Sequence, residues 1–161
     1  MRMPATEKGN REQEYEMEMI EKVLEAGNLT KACSEVVKNK GAGGIDKMPV
    51  RELKAYLDAN REKLCNSVRN GAYLPQPIRG KQIPKGNGKK RLLGIPTAID
   101  RMLQQAALRV VMPQYEPEFS EDSHGFRPNR NTHQAVAKAL GYINSGYQYI
   151  VEIDLKAFFD E

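Results

Sequence analysis

Two stretches of this sequence hold side chains whose type and spacing could do chemistry. The first is YIVEIDLKAFFD, residues 149–160. Tyr149, Val151, Ile153 and Leu155 alternate with Ile150, Glu152 and Asp154, the period of a strand with one apolar face. Asp154 then reaches a strand end just ahead of the bulky pair Phe158 and Phe159. A carboxylate held there could ligate a hard divalent ion such as Mg²⁺, which takes one or two protein carboxylates and leaves the rest of its shell to water and phosphates. It could equally be a solvated acid at a strand end. The second stretch is residues 78–91, IRGKQIPKGNGKKR, with six basic residues and no acidic one. Residues 78–84 and 89–95 read as strands joined by Gly86-Asn87-Gly88, whose turn chemistry predicts a hairpin. This gathers Lys85, Lys89, Lys90 and Arg91 around one tip. Such an arm could close over a triphosphate, with arginine as a planar fork and lysine as a compact point charge. A solvated lysine-rich loop is the plainer alternative.

The elements that must position these groups are mostly helical. Tyr15, Met19, Ile20, Val23 and Leu24 predict a helix from Arg11 to Ala26, stopped by Gly27, after a polar and disordered residue 1–10 segment. Asn28 is the expected N-cap of a second helix bearing Leu29, Ala32, Cys33, Val36 and Val37. GAGGID (41–46) lacks a preceding strand, the G-x-G-x-x-G spacing and a following G-K-[ST], so it reads as a flexible interhelical loop and not as a nucleotide-phosphate loop. Two helices are expected next, Pro49 to about Asp58 and Asn60 to about Asn70. YLPQP (73–77) is an extended linker because two prolines forbid a helix. In RLLGIPT (91–97) the leucines and isoleucine are expected to pack inward and fix Arg91. Thr97 can cap a helix over 98–111, with Pro113 and Pro117 ending it; Gln104 and Gln105 acquire no role. In SEDSHGFRPNR (120–130), Phe126 either anchors the loop in the core or stacks on a base or ribose. Asn131 or Thr132 opens the last helix, with Ala135, Val136, Ala139, Leu140 and Ile143 inward.

At 161 residues the chain can bury a real core, and with no Trp and 7% aromatics that core must rest on aliphatic side chains. No apolar run is long enough to span a membrane, and the N-terminus has no signal-peptide segment, which predicts a cytoplasmic protein. Cys33 and Cys65 are the only cysteines and read as buried free thiols. The net charge of +4 is concentrated in residues 78–91, and the remainder is slightly acidic. A local basic stripe on a near-neutral body suits a polyanion, nucleic acid before membrane.

Four ordered blocks carry a family resemblance: KNKGAGGIDKM (38–48), IPKGNGKKRLLGIPTAIDRMLQQAAL (83–108), SHGFRPNRNTHQAV (123–136) and VEIDLKAFFD (151–160). Over roughly residues 28–161 the chain resembles the group II intron reverse transcriptases, or maturases. The resemblance implies an α+β fold: a mostly helical fingers subdomain of a right-hand polymerase with a basic antiparallel hairpin and the first palm strand. It divides the chain into an N-terminal extension helix (1–27), fingers (28–146) and the start of the palm (147–161). It implies RNA-directed DNA polymerisation with Mg²⁺, together with intron RNA binding and assistance to splicing. Asp154 matches the catalytic metal ligand, and the Leu155 carbonyl also reaches a metal. Lys85 and Arg91 match the residues that hold the incoming nucleotide, and Phe159 matches the gate against a ribose 2′-hydroxyl. Lys40, Gly43, Gly44, Lys89, Lys90, Arg127 and Arg130 fall where RNA or template is contacted. The implied partners are intron RNA, an RNA template, a DNA primer and a dNTP, with no membrane; a homodimer is left open. The chain stops at Glu161, before the aromatic-x-Asp-Asp turn of the family, so it is expected to be a fragment inactive by itself. The alternatives are a non-catalytic RNA-binding module, or a reverse transcriptase of a retron or diversity-generating element.

Overall fold

A computed structural model describes residues 17–84 and 88–155. The chain forms two compact units, divided between Gln114 and Tyr115. Helices and one two-stranded antiparallel sheet make it an α+β protein, in line with the expected class. Among the described residues no helix is long and apolar enough to cross a membrane.

The first unit runs through α1 (17–24), α2 (Ala26–Asn39), a 3₁₀ turn at Val50–Glu52, α3 (Leu53–Arg69), the strands β1 (Arg79–Pro84) and β2 (Lys90–Ile95), and α4 (Ala98–Tyr115), which carries the chain to the unit's end. Three helical faces meet in its core. Leu29, Ala32, Cys33 and Val36 repeat every three or four residues along α2; Leu53, Leu57, Leu64 and Cys65 do so along α3; Ala98, Met102 and Ala106 do so along α4. The alanines leave α4 a low ridge, so the larger leucines can fill the space above it. Cys33 and Cys65 are buried free thiols, as expected, and burial pushes the Cys33 thiol up.

Several helix boundaries differ from the expected ones; α1 ends at residue 24, and Gly27, its expected stop, lies inside α2. Helix α2 starts at Ala26, so Asn28 lies inside its first turn and not at the N-cap. Its side chain has longer-range work: Nδ2 donates to the carbonyls of Val23 and Ala106 at 3.0 Å each, and Oδ1 accepts from Arg109 Nε at 3.1 Å. Arg109 also pairs with Glu35, which accepts from Gln105 Nε2 at 2.7 Å. A polar stitch thus fastens α2 to α4 and gives Gln105 a partner. Replacing Asn28 by Ala removes three hydrogen bonds at once and is expected to cost about 1–2 kcal/mol, read as a lower urea midpoint at unchanged m-value.

The helices expected around Pro49–Asp58 and Asn60–Asn70 are one helix, α3. Asn60 does not cap a new helix; its Nδ2 bonds back to the Tyr56 carbonyl at 3.0 Å. Helix α4 runs past the expected end at 111 because Pro113 lies in its last turn. A missing N–H there forgoes a single i→i−4 bond.

The second unit holds a 3₁₀ turn at Glu116–Glu118, a loop, and α5 (Thr132–Asn144). Asn131 caps α5 as expected, in a reciprocal box: the Gln134 N–H donates to Asn131 Oδ1 at 3.1 Å, and the Asn131 N–H to Gln134 Oε1 at 2.9 Å. The apolar stripe of α5 is not inward. Val136, Leu140 and Ile143 are each more than half exposed. The expected strand at 149–155 is also not formed, and Ile150, Val151 and Ile153 stand in the open. Its alternation is that of a strand, but a strand needs a neighbour to take its N–H and C=O groups, and among the described residues none pairs with it.

Candidate nucleotide and nucleic-acid interface

The hairpin expected from the glycine turn is present, and its register sorts its cations by face. Arg79 stands opposite Ile95, Lys81 opposite Leu93, and Ile83 opposite Arg91. Opposed residues in an antiparallel pair share a face, so Arg79, Lys81 and Arg91 lie on one side and Lys90, opposite Pro84, on the other. Lys81 was not among the expected site residues; counting back from the turn in steps of two would have found it. Arg91 is exposed and has no ion-pair partner among the described residues. Lys85 and the turn residues 86–87 lie outside the described residues. The leucines of RLLGIPT do not pack inward. Leu92 is 74% exposed and Leu93 43%, so Arg91 is held by strand pairing and not by a core.

The root of the hairpin is fixed by a buried carboxylate. Asp100, 4% exposed in the first turn of α4, accepts from Tyr73 Oη at 2.6 Å, from Thr97 Oγ1 at 2.6 Å and from the Gln76 N–H at 3.3 Å. Thr97 Oγ1 in turn accepts from the Asp100 N–H at 3.1 Å, the capping expected of Thr97. The chain before the hairpin and the chain after it are therefore tied to one side chain. Burial raises the Tyr73 phenol above its usual range, and the bond to Asp100 adds to the shift. Sequence reasoning missed Asp100; its signal is a Thr followed three residues later by an acid at a helix start.

The glycine loop is clamped to this root, not loose. Arg79 Nη1 donates to the Gly43 carbonyl at 3.0 Å, and Arg101 Nη2 to the Ala42 carbonyl at 2.9 Å. A Cβ on Gly44 would lie 2.7 Å from the Thr97 backbone, and one on Gly43 2.8 Å from the Lys47 backbone. Close backbone packing therefore accounts for both glycines. Lys40 precedes the loop as an exposed side chain at the end of α2.

In the second unit Arg127 departs from the expected RNA contact. Its Nε and Nη2 bond Glu116 Oε1 at 3.0 and 2.8 Å, Nη2 also bonds the Glu116 carbonyl, and Nη1 bonds the carbonyls of Ser120 and Ser123. Every donor of the guanidinium is used, and its side chain is 7% exposed with the Phe119 ring 5.2 Å away. Arg127 is the anchor of the loop. Phe126 is not: it is fully exposed, at φ +56°. Arg130 donates to the Glu121 carbonyl at 2.9 Å. Asp154 and Leu155 are exposed and belong to no regular element, and Phe159 lies outside the described residues.

A basic hairpin on a helical body is shared by unrelated proteins, so the comparison with known sequences decides the family. The family model for "Reverse transcriptase (RNA-dependent DNA polymerase)" matches residues 83–161, from inside β1 to the chain's end. Over those residues the chain belongs to the reverse transcriptase family. The group II intron-encoded protein LtrA of Lactococcus lactis subsp. cremoris is 43% identical over 133 residues, 80% of this chain and 21% of its own length. Protein YkfC of Escherichia coli K12 is 36% identical over 138 residues, 82% of this chain and 36% of its own. The mitochondrial nuclear intron maturase 1 of Arabidopsis thaliana is 34% identical over 65 residues, 40% of this chain and 9% of its own. The resemblance to group II intron proteins thus extends through most of the chain, which spans about a fifth of the length of LtrA.

For a reverse transcriptase the donor set for a metal can be tested on this chain. Asp154 is exposed and unpaired among the described residues, which suits one hard-oxygen ligand. Among the described residues no group of three His, Cys, Asp or Glu side chains could hold an ion. Asp154 thus fits as one contributor to a Mg²⁺ site and not as the whole of it.

Proposed function

We propose that this chain is the fingers part, with the first palm segment, of an RNA-directed DNA polymerase that also binds intron RNA and assists its splicing. The observation that carries the reading is the cationic hairpin whose two ends are tied to Asp100, in a chain similar to group II intron-encoded proteins. Polymerisation joins a primer 3′-hydroxyl to the α-phosphate of a nucleotide, and its demands are alignment and neutralisation of developing charge. Lys85 and Arg91 hold the incoming dNTP. Arg91, on the face shared with Lys81, offers two parallel N–H bonds to phosphate oxygens. Lys89, Lys90 and Arg130 contact RNA backbone, and Lys40 and the Gly43–Gly44 backbone lie along the template beside the DNA primer. Phe159 excludes the 2′-hydroxyl. Asp154 and the Leu155 carbonyl would hold Mg²⁺, which when bound supplies charge to the phosphates and aligns the attacking hydroxyl. The residue range 28–146 corresponds to the fingers, 147–161 to the first palm segment, and 1–27 to an extension.

With Asp154 the one side chain assigned to the metal, the chain by itself does not polymerise. Purified chain with Mg²⁺, primer, RNA template and dNTPs is expected to give no extension; templated synthesis by a homogeneous sample would overturn this. RNA binding, in contrast, is retained. If about four phosphates are engaged, log affinity falls against log salt with a slope of roughly −3, and the double substitution Lys89→Ala and Lys90→Ala flattens it by about 1.4. An unchanged slope would remove the hairpin from the interface. In a complete polymerase carrying this segment, Arg91→Ala is expected to raise the nucleotide KM about tenfold and to lower kcat as well, because a fork to phosphate acts in both bound and transition states.

A further inference from the structure

Between α2 and α4 the first unit has an open cleft of about 400 Å³. Val36 and Leu108 line its apolar part, and Asn39, Lys40, Arg101 and Gln104 its polar part; no carboxylate lines it. Neither cation has an ion-pair partner among the described residues. Arg101 spends Nη2 on the Ala42 carbonyl, and its Nε is sealed from solvent with no acceptor. Gln105, the neighbour in the same turn, is turned to Glu35, whereas no described residue takes the Gln104 side chain. The cleft therefore collects donors and positive charge and supplies nothing to neutralise them. Lys40 and Gln104 are exposed and Arg101 is half-buried, so these donors stand open to an anion from outside the chain.

A second observation is the backbone of Lys40. It sits at φ 57°, ψ −155°, a region in which side chains are strained and which glycine occupies freely. Two residues on, the clamped loop begins to present its carbonyls to Arg101 and Arg79. Nothing in the packing demands lysine here, for the side chain is exposed. A lysine stands where glycine would be less strained, at the mouth of a cleft that no acid lines. Strain of this kind collects where a side chain has a ligand to hold.

We propose that this cleft seats a phosphodiester group of a bound RNA strand. Lys40 and Arg101 supply the charge, and the amides of Asn39 and Gln104 donate to the phosphate or to the adjoining ribose hydroxyl. The inference rests on the RNA-binding reading above and deepens the contact given there to Lys40, adding Asn39, Arg101 and Gln104 as its partners in one cleft. Arg101 would then have two duties: one edge of its guanidinium fixes the loop, and its charge faces the strand.

The test is fluorescence anisotropy of an end-labelled single-stranded RNA with the full chain across a salt series. Lys40→Gly is expected to weaken binding about fivefold and to reduce the salt slope by about 0.7, the value for one phosphate on a single strand. The same variant should melt at the same temperature as the parent or higher, since it relieves the backbone, so misfolding cannot explain the loss. Gln104→Ala is expected to weaken binding about threefold with the slope unchanged, as befits a neutral donor. If both variants bind as the parent does while the hairpin double variant is weakened, the cleft proposal fails and the functional reading stands. If the parent chain binds no RNA, both fail together. Tripolyphosphate separates a strand site from a site for free phosphate. Should Lys40→Gly lose tripolyphosphate and keep RNA, the cleft takes a free phosphate compound and the proposal is overturned.

Discussion

In a complete polymerase carrying this segment, Asp154→Asn should lower kcat on the order of a thousandfold or more, equivalent to about 4 kcal/mol of transition-state stabilisation, and leave primer–template binding within about twofold. Asparagine keeps the size of the side chain and one carbonyl oxygen but loses the negative charge, which is what a hard cation selects. The charge matters most as the attacking and leaving oxygens gain electron density, so the loss should fall on turnover and not on assembly of the complex. The surroundings of Asp154 support this division. The carboxylate is exposed and belongs to no hydrogen-bond network among the described residues, so its replacement should not disturb the fold. Steady-state extension kinetics beside an equilibrium binding assay separate the two effects. Near-normal turnover would mean that Asp154 is not at the reaction centre.

How much of this was legible in the sequence depended on whether the deciding interaction was local. The hairpin was, because Gly86-Asn87-Gly88 between two alternating runs specifies a turn within a few residues, and the structure begins its strands within one residue of the expected positions. The Thr97 and Asn131 caps were legible for the same reason. Asn28 was not. A capping residue type was available, but a carbonyl 78 residues away competed for its amide and won. Arg127 shows the same limit. An arginine in a loop of a basic chain suits a phosphate contact, yet Glu116 and three backbone carbonyls consume its donors. The alternation at 149–155 and the stripe of α5 were read correctly as patterns. A pattern states which face is apolar, not that a partner is present to cover it, and both faces stand exposed.

The largest stability effect is expected at Asp100. Changing Asp100 to Ala leaves the Tyr73 hydroxyl, the Thr97 hydroxyl and the Gln76 N–H without their acceptor, and Thr97 is 1% exposed, so water cannot replace it there. Unanswered donors of this kind cost about 1–3 kcal/mol each, and a partial rearrangement brings the expected total to about 3 kcal/mol. Urea unfolding of the full chain followed by far-ultraviolet circular dichroism would measure it. A loss below about 1 kcal/mol would show that the network does not hold the hairpin's root. Asp100→Asn keeps one acceptor and should lose about half as much. The network also has a pH signature. The Tyr73 phenol titrates higher in the folded chain than its ordinary value of 10.0, so the folded state holds that proton more tightly than the unfolded one. Its contribution is therefore complete below pH 10 and is lost as the pH rises through the folded-state value. Tyr73→Phe should remove this alkaline component while leaving the stability curve below pH 9 parallel to that of the parent. Amide exchange in β1 and β2 should quicken in Asp100→Ala more than in α2, because the strands are tied to the core at this carboxylate and α2 is fastened through Asn28 and Glu35.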